Sequence, residues 1–186
     1  MLHGDLKASN VLLARCSGAA AAVPASAAGD VALMPHRFTA KVSDFGLALH
    51  MGPDATHVSS THAGTVTHMA PELLLVGRAS KASDVYSYGI LLWELLTGQR
   101  AFAGLPAPLL CIKVVRDHWR PAWPPGVAAP LRALAEACWS PSAAARPSFE
   151  EIVAYLEALM TQPALMPAGS GSGPAAWDAP GAGRGY

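Results

Sequence analysis

His3-Gly4-Asp5-Leu6-Lys7-Ala8-Ser9-Asn10, with Asp44-Phe45-Gly46 further along, is the stretch on which the reading of this 186-residue chain turns. Moving a phosphoryl group onto a hydroxyl needs an acceptor for the hydroxyl proton, a cation beside the moving group, and oxygen ligands for magnesium. Asp5, Lys7 and Asn10 put a carboxylate, an ammonium and an amide within six positions. Asp44 adds a second carboxylate directly after the alternating run Ala40-Lys41-Val42-Ser43. Either motif alone is weak, because Asp and Asn are ordinary turn residues.

Working outward, Val11-Leu12-Leu13 and Ala40-Ser43 read as two short strands. Between them, residues 15–36 are rich in Ala, Ser, Gly and Pro and show no apolar period. Such a composition does not bury enough surface to offset ordering entropy, so a flexible insertion is expected, bounded at most by 15–38. Residues 84–97 are apolar nearly all round, which predicts a helix buried at the centre of its domain, capped by Ser83 or Asp84 and ended by Gly98. Residues 106–116 and 129–138 read as further helices. In the last helix Ser148 and Glu151 form a capping box, ahead of a stripe of Phe149, Ile152, Val153, Leu156 and Leu159. From residue 161 to 186 the Gly/Pro/Ala-rich composition predicts a disordered tail.

Composition narrows the function classes. With 13 basic and 13 acidic residues the net charge is zero, which gives no electrostatic reason to expect nucleic acid or an anionic membrane. The apolar fraction of 52% is raised by alanine, and the run Ile90-Trp93 stops at Glu94, far short of the ~20 apolar residues a bilayer span needs. No Lys/Arg-led apolar segment opens the sequence, so an intracellular, cytoplasmic location is expected. Cys16, Cys111 and Cys138 are isolated, and the seven histidines form no metal-binding pair, so neither a zinc site nor a disulfide framework is expected.

The order of motifs carries more than any one of them. After Asp44-Phe45-Gly46 come Gly64-Thr65-Val66, Ala70-Pro71-Glu72, Asp84-Val85-Tyr86-Ser87-Tyr88-Gly89, Cys138-Trp139 and Arg146-Pro147. This succession resembles protein kinases from the catalytic loop to the final helix, over residues 3 to about 160 apart from the insertion. It looks most like the serine/threonine kinases of the tyrosine-kinase-like group. The resemblance implies a mainly α fold: a large lobe over residues 1–160, with a short β-hairpin at the catalytic and metal loops and the small lobe missing. It implies that Asp5 is the catalytic base, that Lys7 neutralises the transferring phosphate, and that Asn10 and Asp44 hold Mg2+. Thr65 would hydrogen-bond Asp5 and Lys7, and ATP and a protein substrate would be the partners. Glu72 and Arg146 resemble a buried ion bridge, Asp84 a helix-start aspartate holding the loop backbone, and His3 and Phe45 members of a hydrophobic stack.

Two departures qualify these expectations. Gly4 stands where most kinases carry an arginine that pairs with a phosphorylated activation-loop residue, so phosphate on Thr56, Ser59, Ser60 or Thr61 is not expected to act through this position. Only Met1 and Leu2 precede the loop, and no glycine-rich loop or strand lysine is present. The small lobe is therefore expected from missing upstream sequence, and the chain is expected to be a fragment inactive alone. The alternative is a non-catalytic binding or regulatory module built on a kinase large lobe.

Overall fold

The computed structural model describes residues 1–15, 38–48, 57–59 and 64–161. In chain order the elements are strands β1 (Val11–Arg15), β2 (Phe38–Val42) and β3 (Val58–Ser59), helix α1 (Pro71–Val76), strand β4 (Arg78–Ala79), and helices α2 (Lys81–Thr97), α3 (Ala107–Arg116), α4 (Ala129–Cys138) and α5 (Phe149–Thr161). Single 3-10 turns occupy Ala8–Asn10, Val66–His68 and Ala143–Ala145.

Helix α2 is the axis of the fold. Val85, Tyr86, Ile90, Leu91, Leu92 and Trp93 are all buried along it, and burying each large side chain contributes about 1.5–3 kcal/mol. The helix starts three residues earlier than its apolar run suggests (Lys81 rather than Asp84) because Ser80 is the N-cap. Ser80 N donates to Ser83 Oγ at 3.1 Å, so Ser83 completes the first turn rather than capping it. Asp84, offered from sequence as a cap, lies inside the helix and turns its carboxylate elsewhere. Gly98 ends the helix as expected: its backbone is left-handed (φ 67°) and its N–H returns to Glu94 O at 2.9 Å.

Helix α4 crosses α2 at Gly89, where a Cβ would lie 2.9 Å from Cys138 Cβ and 3.1 Å from Ala135 O. Leu134, Ala135, Cys138 and Trp139 thereby join the α2 core, with Leu110 and Val114 of α3 and Ile152 of α5. The α5 capping box forms as read, Ser148 N donating to Glu151 Oε2 at 2.7 Å and Glu151 N to Ser148 Oγ at 3.2 Å. Its stripe is narrower than expected. Ile152 and Leu159 are buried, while Phe149 and Val153 remain exposed.

β1 and β2 form the antiparallel pair that the two apolar runs suggested, in register from Val11 opposite Val42 to Arg15 opposite Phe38. Arg15 and Phe38 thus belong to strands; the rest of the proposed insertion, and the tail beyond Thr161, lie outside the described residues. Every residue of β2 is exposed. Leu6, Leu13, Val42, Phe45, Leu91 and Leu95 line an open apolar cleft of about 700 Å3 between the hairpin and α2. Leu95, expected in the core, is 66% exposed there. Among the described residues, no helix is long and apolar enough to cross a membrane.

Candidate active site

Two buried polar anchors hold the 3–10 loop. Asp84, in the first turn of α2, accepts His3 N at 2.7 Å on one carboxylate oxygen and Gly4 N at 2.9 Å on the other. His3 spans the second gap. Its Nε2 lies 3.0 Å from Ser43 O, a carbonyl that can only accept, so the ring proton sits on Nε2. That leaves Nδ1 to accept Asp5 N at 3.3 Å. The His3 ring lies 5.1 Å from that of Phe45, centroid to centroid, which brings together the two residues read as a stack. Gly4 between them has φ +80°, and a Cβ there would sit 2.9 Å from Leu47 O.

The loop so held brings Asp5, Lys7, Asn10 and Thr65 into one cluster. Lys7 Nζ lies 2.7 Å from Asp5 Oδ2 and donates to Thr65 Oγ1 at 2.6 Å. Thr65 N donates to Asp5 Oδ1 at 2.9 Å. The threonine meets Lys7 through its hydroxyl and Asp5 through its backbone. Asn10 Nδ2 donates to Asp5 O at 2.8 Å and to Asp5 Oδ2 at 3.2 Å. Burial pushes the Asp5 carboxyl up, but the bonds from Lys7 and Thr65 outweigh it and hold the group below the usual carboxylate range. Asp5 is ionised at neutral pH.

Asp44 stands apart from this cluster. Its backbone is left-handed (φ 62°), its side chain is exposed, and among the described residues its carboxylate bonds only to Gly46 N, at 3.3 Å. Its neighbour makes the connection, because Ser43 N and Ser43 Oγ both donate to Asn10 O, at 2.8 and 3.0 Å. Sequence reading missed Ser43 as a tether, and nothing in its spacing marks it. Asn10 meets Asp5 through the nitrogen end of its amide and the Asp44 carboxylate faces solvent; an amide oxygen and a carboxylate are each a ligand type that a hard divalent cation takes.

Below the loop, Arg146 and Glu72 form a two-pronged pair. Nη1 meets Oε1 at 2.7 Å and Nη2 meets Oε2 at 2.8 Å. Arg146 also donates to Ser140 O and Ala82 O, and its guanidinium lies 5.1 Å over the Tyr86 ring. Burial raises the Glu72 carboxyl, but Arg146 more than offsets it and keeps the group below its ordinary value. This pair pins α1 to the start of α5 beneath the site.

A helix-rich body with one antiparallel pair, carrying an Asp–Lys–Thr–Asn cluster beside a solvent-facing aspartate, fits a phosphoryl-transfer fold of the kinase kind. The sequence model of the family described as protein tyrosine and serine/threonine kinase matches residues 1–156, and the chain belongs to that family. It is 37% identical over 160 residues to a probable serine/threonine-protein kinase, drkC, of Dictyostelium discoideum, covering 86% of this chain and 19% of the relative. It is 36% identical over 162 residues to mitogen-activated protein kinase kinase kinase 11 of Rattus norvegicus, covering 87% of this chain and 17% of the relative. A probable leucine-rich-repeat receptor-like serine/threonine kinase, RKF3, of Arabidopsis thaliana is 33% identical over 172 residues, covering 84% and 24%. The chain spans roughly a fifth of the length of these curated relatives.

Proposed function

We propose that this chain is the large lobe of a serine/threonine protein kinase, which transfers a phosphoryl group from Mg-ATP to a protein hydroxyl. The observation that carries the reading is the Lys7 ammonium bridging Asp5 Oδ2 at 2.7 Å and Thr65 Oγ1 at 2.6 Å. An ionised, oriented carboxylate can align a substrate hydroxyl and accept its proton, and a fixed ammonium beside it can neutralise charge on the moving group. In this reading Asp5 is the base, Lys7 the neutralising cation and ATP contact, and Thr65 the group that fixes both. Asn10 and Asp44 would hold magnesium, which when bound supplies positive charge to the nucleotide phosphates. The partners are ATP and a protein substrate, in the cytoplasm, and the zero net charge offers nucleic acid no attraction.

The apolar cleft supports the finer assignment. Among the described residues nothing covers the face of Leu13, Val42, Phe45 and Leu95, a face that a finished domain packs against a second body. We assign that covering to sequence outside this chain, the small lobe included. Alignment of reactants can account for about 7–11 kcal/mol of a barrier, whereas a general base adds about a hundred- to ten-thousand-fold. The chain by itself is therefore expected to show little phosphoryl transfer. The same open face favours the second reading, a non-catalytic module that docks a partner there.

One experiment separates them. This chain and a version extended by a kinase small lobe are assayed with Mg-ATP and a generic protein substrate, each with and without Asp5→Ala. The extended chain is expected to be active, and Asp5→Ala to lower its rate by about a hundredfold or more. Activity that survives Asp5→Ala rules out the catalytic assignment. An extended chain that binds no Mg-ATP by calorimetry favours the docking module.

A further inference from the structure

The turn Val66–His68 follows Thr65 directly and ends on a buried histidine. His68 N donates to Thr65 O at 2.8 Å, which closes the turn onto the residue that holds Lys7 and Asp5. His68 O accepts Ser87 Oγ at 2.8 Å, which ties the turn to α2. The ring faces two groups. Nδ1 lies 2.9 Å from Thr67 Oγ1, and Nε2 lies 3.6 Å from Glu94 Oε2, just beyond hydrogen-bonding distance. Nε2 is fully buried and, among the described residues, has no hydrogen-bond partner. Glu94 already accepts Ala101 N on its other oxygen at 2.9 Å, so the Oε2 edge is the one turned to the histidine.

This is an unusual thing to bury. A bare ring nitrogen opposite a carboxylate oxygen would set two lone pairs against each other, so the neutral ring must carry its proton on Nε2 with Thr67 donating to Nδ1. A second proton would turn the 3.6 Å approach into a charge-assisted bond, which is shorter. Both residues line a cavity of about 290 Å3 that also reaches Lys7, Thr65, Thr67 and Arg100.

We propose that His68 is a proton-dependent positioning residue: on taking up a proton it closes on Glu94 and shifts the turn that carries Thr65, and with it the Lys7 ammonium. The coupling is a property of the turn and needs no nucleotide; only its consequence for catalysis rests on the phosphoryl-transfer reading above.

The groups that face the ring set the direction. Burial lowers the His68 pKa from the ordinary 6.5, and Lys7 and Arg100 act the same way. Glu94 and Asp5 oppose it, but the net shift stays downward. A histidine harder to protonate when folded contributes stability that is complete above about pH 6.5 and falls away as the pH drops toward its folded value. Proton uptake therefore tightens the Glu94 contact while costing the fold as a whole.

The test is an NMR titration of the full chain from about pH 8 to about pH 5, a range in which unperturbed histidine changes charge. The His68 ring signal, assigned by its loss in His68→Gln, is expected to titrate below the ordinary histidine midpoint. Glu94→Gln is expected to lower that midpoint further. The Thr65 amide is expected to shift with the His68 midpoint in the native chain and to stay flat in His68→Gln. Asp5, whose carboxylate accepts the Thr65 amide itself, is held below the ordinary carboxylate range and so does not change charge across this window. A Thr65 amide with no inflection at the His68 midpoint overturns the proposal, as does a midpoint indifferent to Glu94→Gln. If that variant does not fold, coincidence of the two midpoints in the native chain decides alone. Coincident titration in a chain whose small-lobe extension is inactive would remove the kinase reading and leave the coupling standing.

Discussion

The two halves of the site are built to different standards. Around Asp5 the polar groups of the loop are tied down: both Asp5 carboxylate oxygens are engaged, the loop backbone is pinned by Asp84, and Glu72 and Arg146 pair nearby. Around Asp44 the backbone is left-handed, the carboxylate faces solvent, and the strand leading to it is exposed at every position. The first half is finished by contacts within this chain. The second rests on Ser43 and His3 and opens onto an apolar cleft. A carboxylate ordered by its neighbours beside one left facing solvent is the pattern expected where the second takes its final geometry from something packed over it.

The comparison breaks first, if it breaks, at the floor. Arg146→Ala strands the half-buried Glu72 carboxylate and the carbonyls of Ser140, Ala82 and Pro141 that Arg146 contacts, so a loss of about 3–5 kcal/mol is expected in urea unfolding. A loss under about 1 kcal/mol would mean that the pair is not part of what fixes the finished half. Next in size is Gly89→Ala, where the added methyl must push α4 off α2 at Cys138. About 1–3 kcal/mol is expected, read as a lowered Tm. An unchanged Tm would show that the helices can separate there without cost. The smallest effect belongs to the unfinished half. Leu13 is 69% exposed, so Leu13→Lys is expected to leave the stability of this chain within about 0.5 kcal/mol. Destabilisation well beyond that would mean the cleft is covered in solution, and sedimentation of the native chain would then show what covers it.

Much of this could be read from the residues alone, for reasons that differ from element to element. The Asp5 cluster was legible because its members lie close in sequence and their chemistry is specific. Only Thr65 is distant, and it came through the family resemblance. The α2 core was legible because an all-round apolar run has one place to go. Its first turn was misjudged, because Ser80 and Ser83 satisfy each other through hydroxyls that carry no hydrophobic period. Leu95, Phe149 and Val153 were expected inside and lie outside. Hydrophobic spacing says which face seeks a partner, not whether the partner is part of this chain. The short helix α1, the β3–β4 pairing and the His68–Glu94 approach had no signal at all, since each depends on contacts between segments that only the folded chain brings together.

Gly4 first drew notice for the side chain it lacks. Its geometry gives that lack another meaning. With φ +80° and Leu47 O only 2.9 Å from where a Cβ would go, the residue is the clearance between the loop that carries Asp5 and the turn that carries Asp44. Any chiral residue there would act as a spacer, wedging the two arms apart in addition to its own backbone strain. Putting back an arginine to restore a phosphate-reading switch would therefore not simply add a charge. It would change how far Asp5 stands from Asp44, and a regulator acting at this joint would have to work by width instead of by charge.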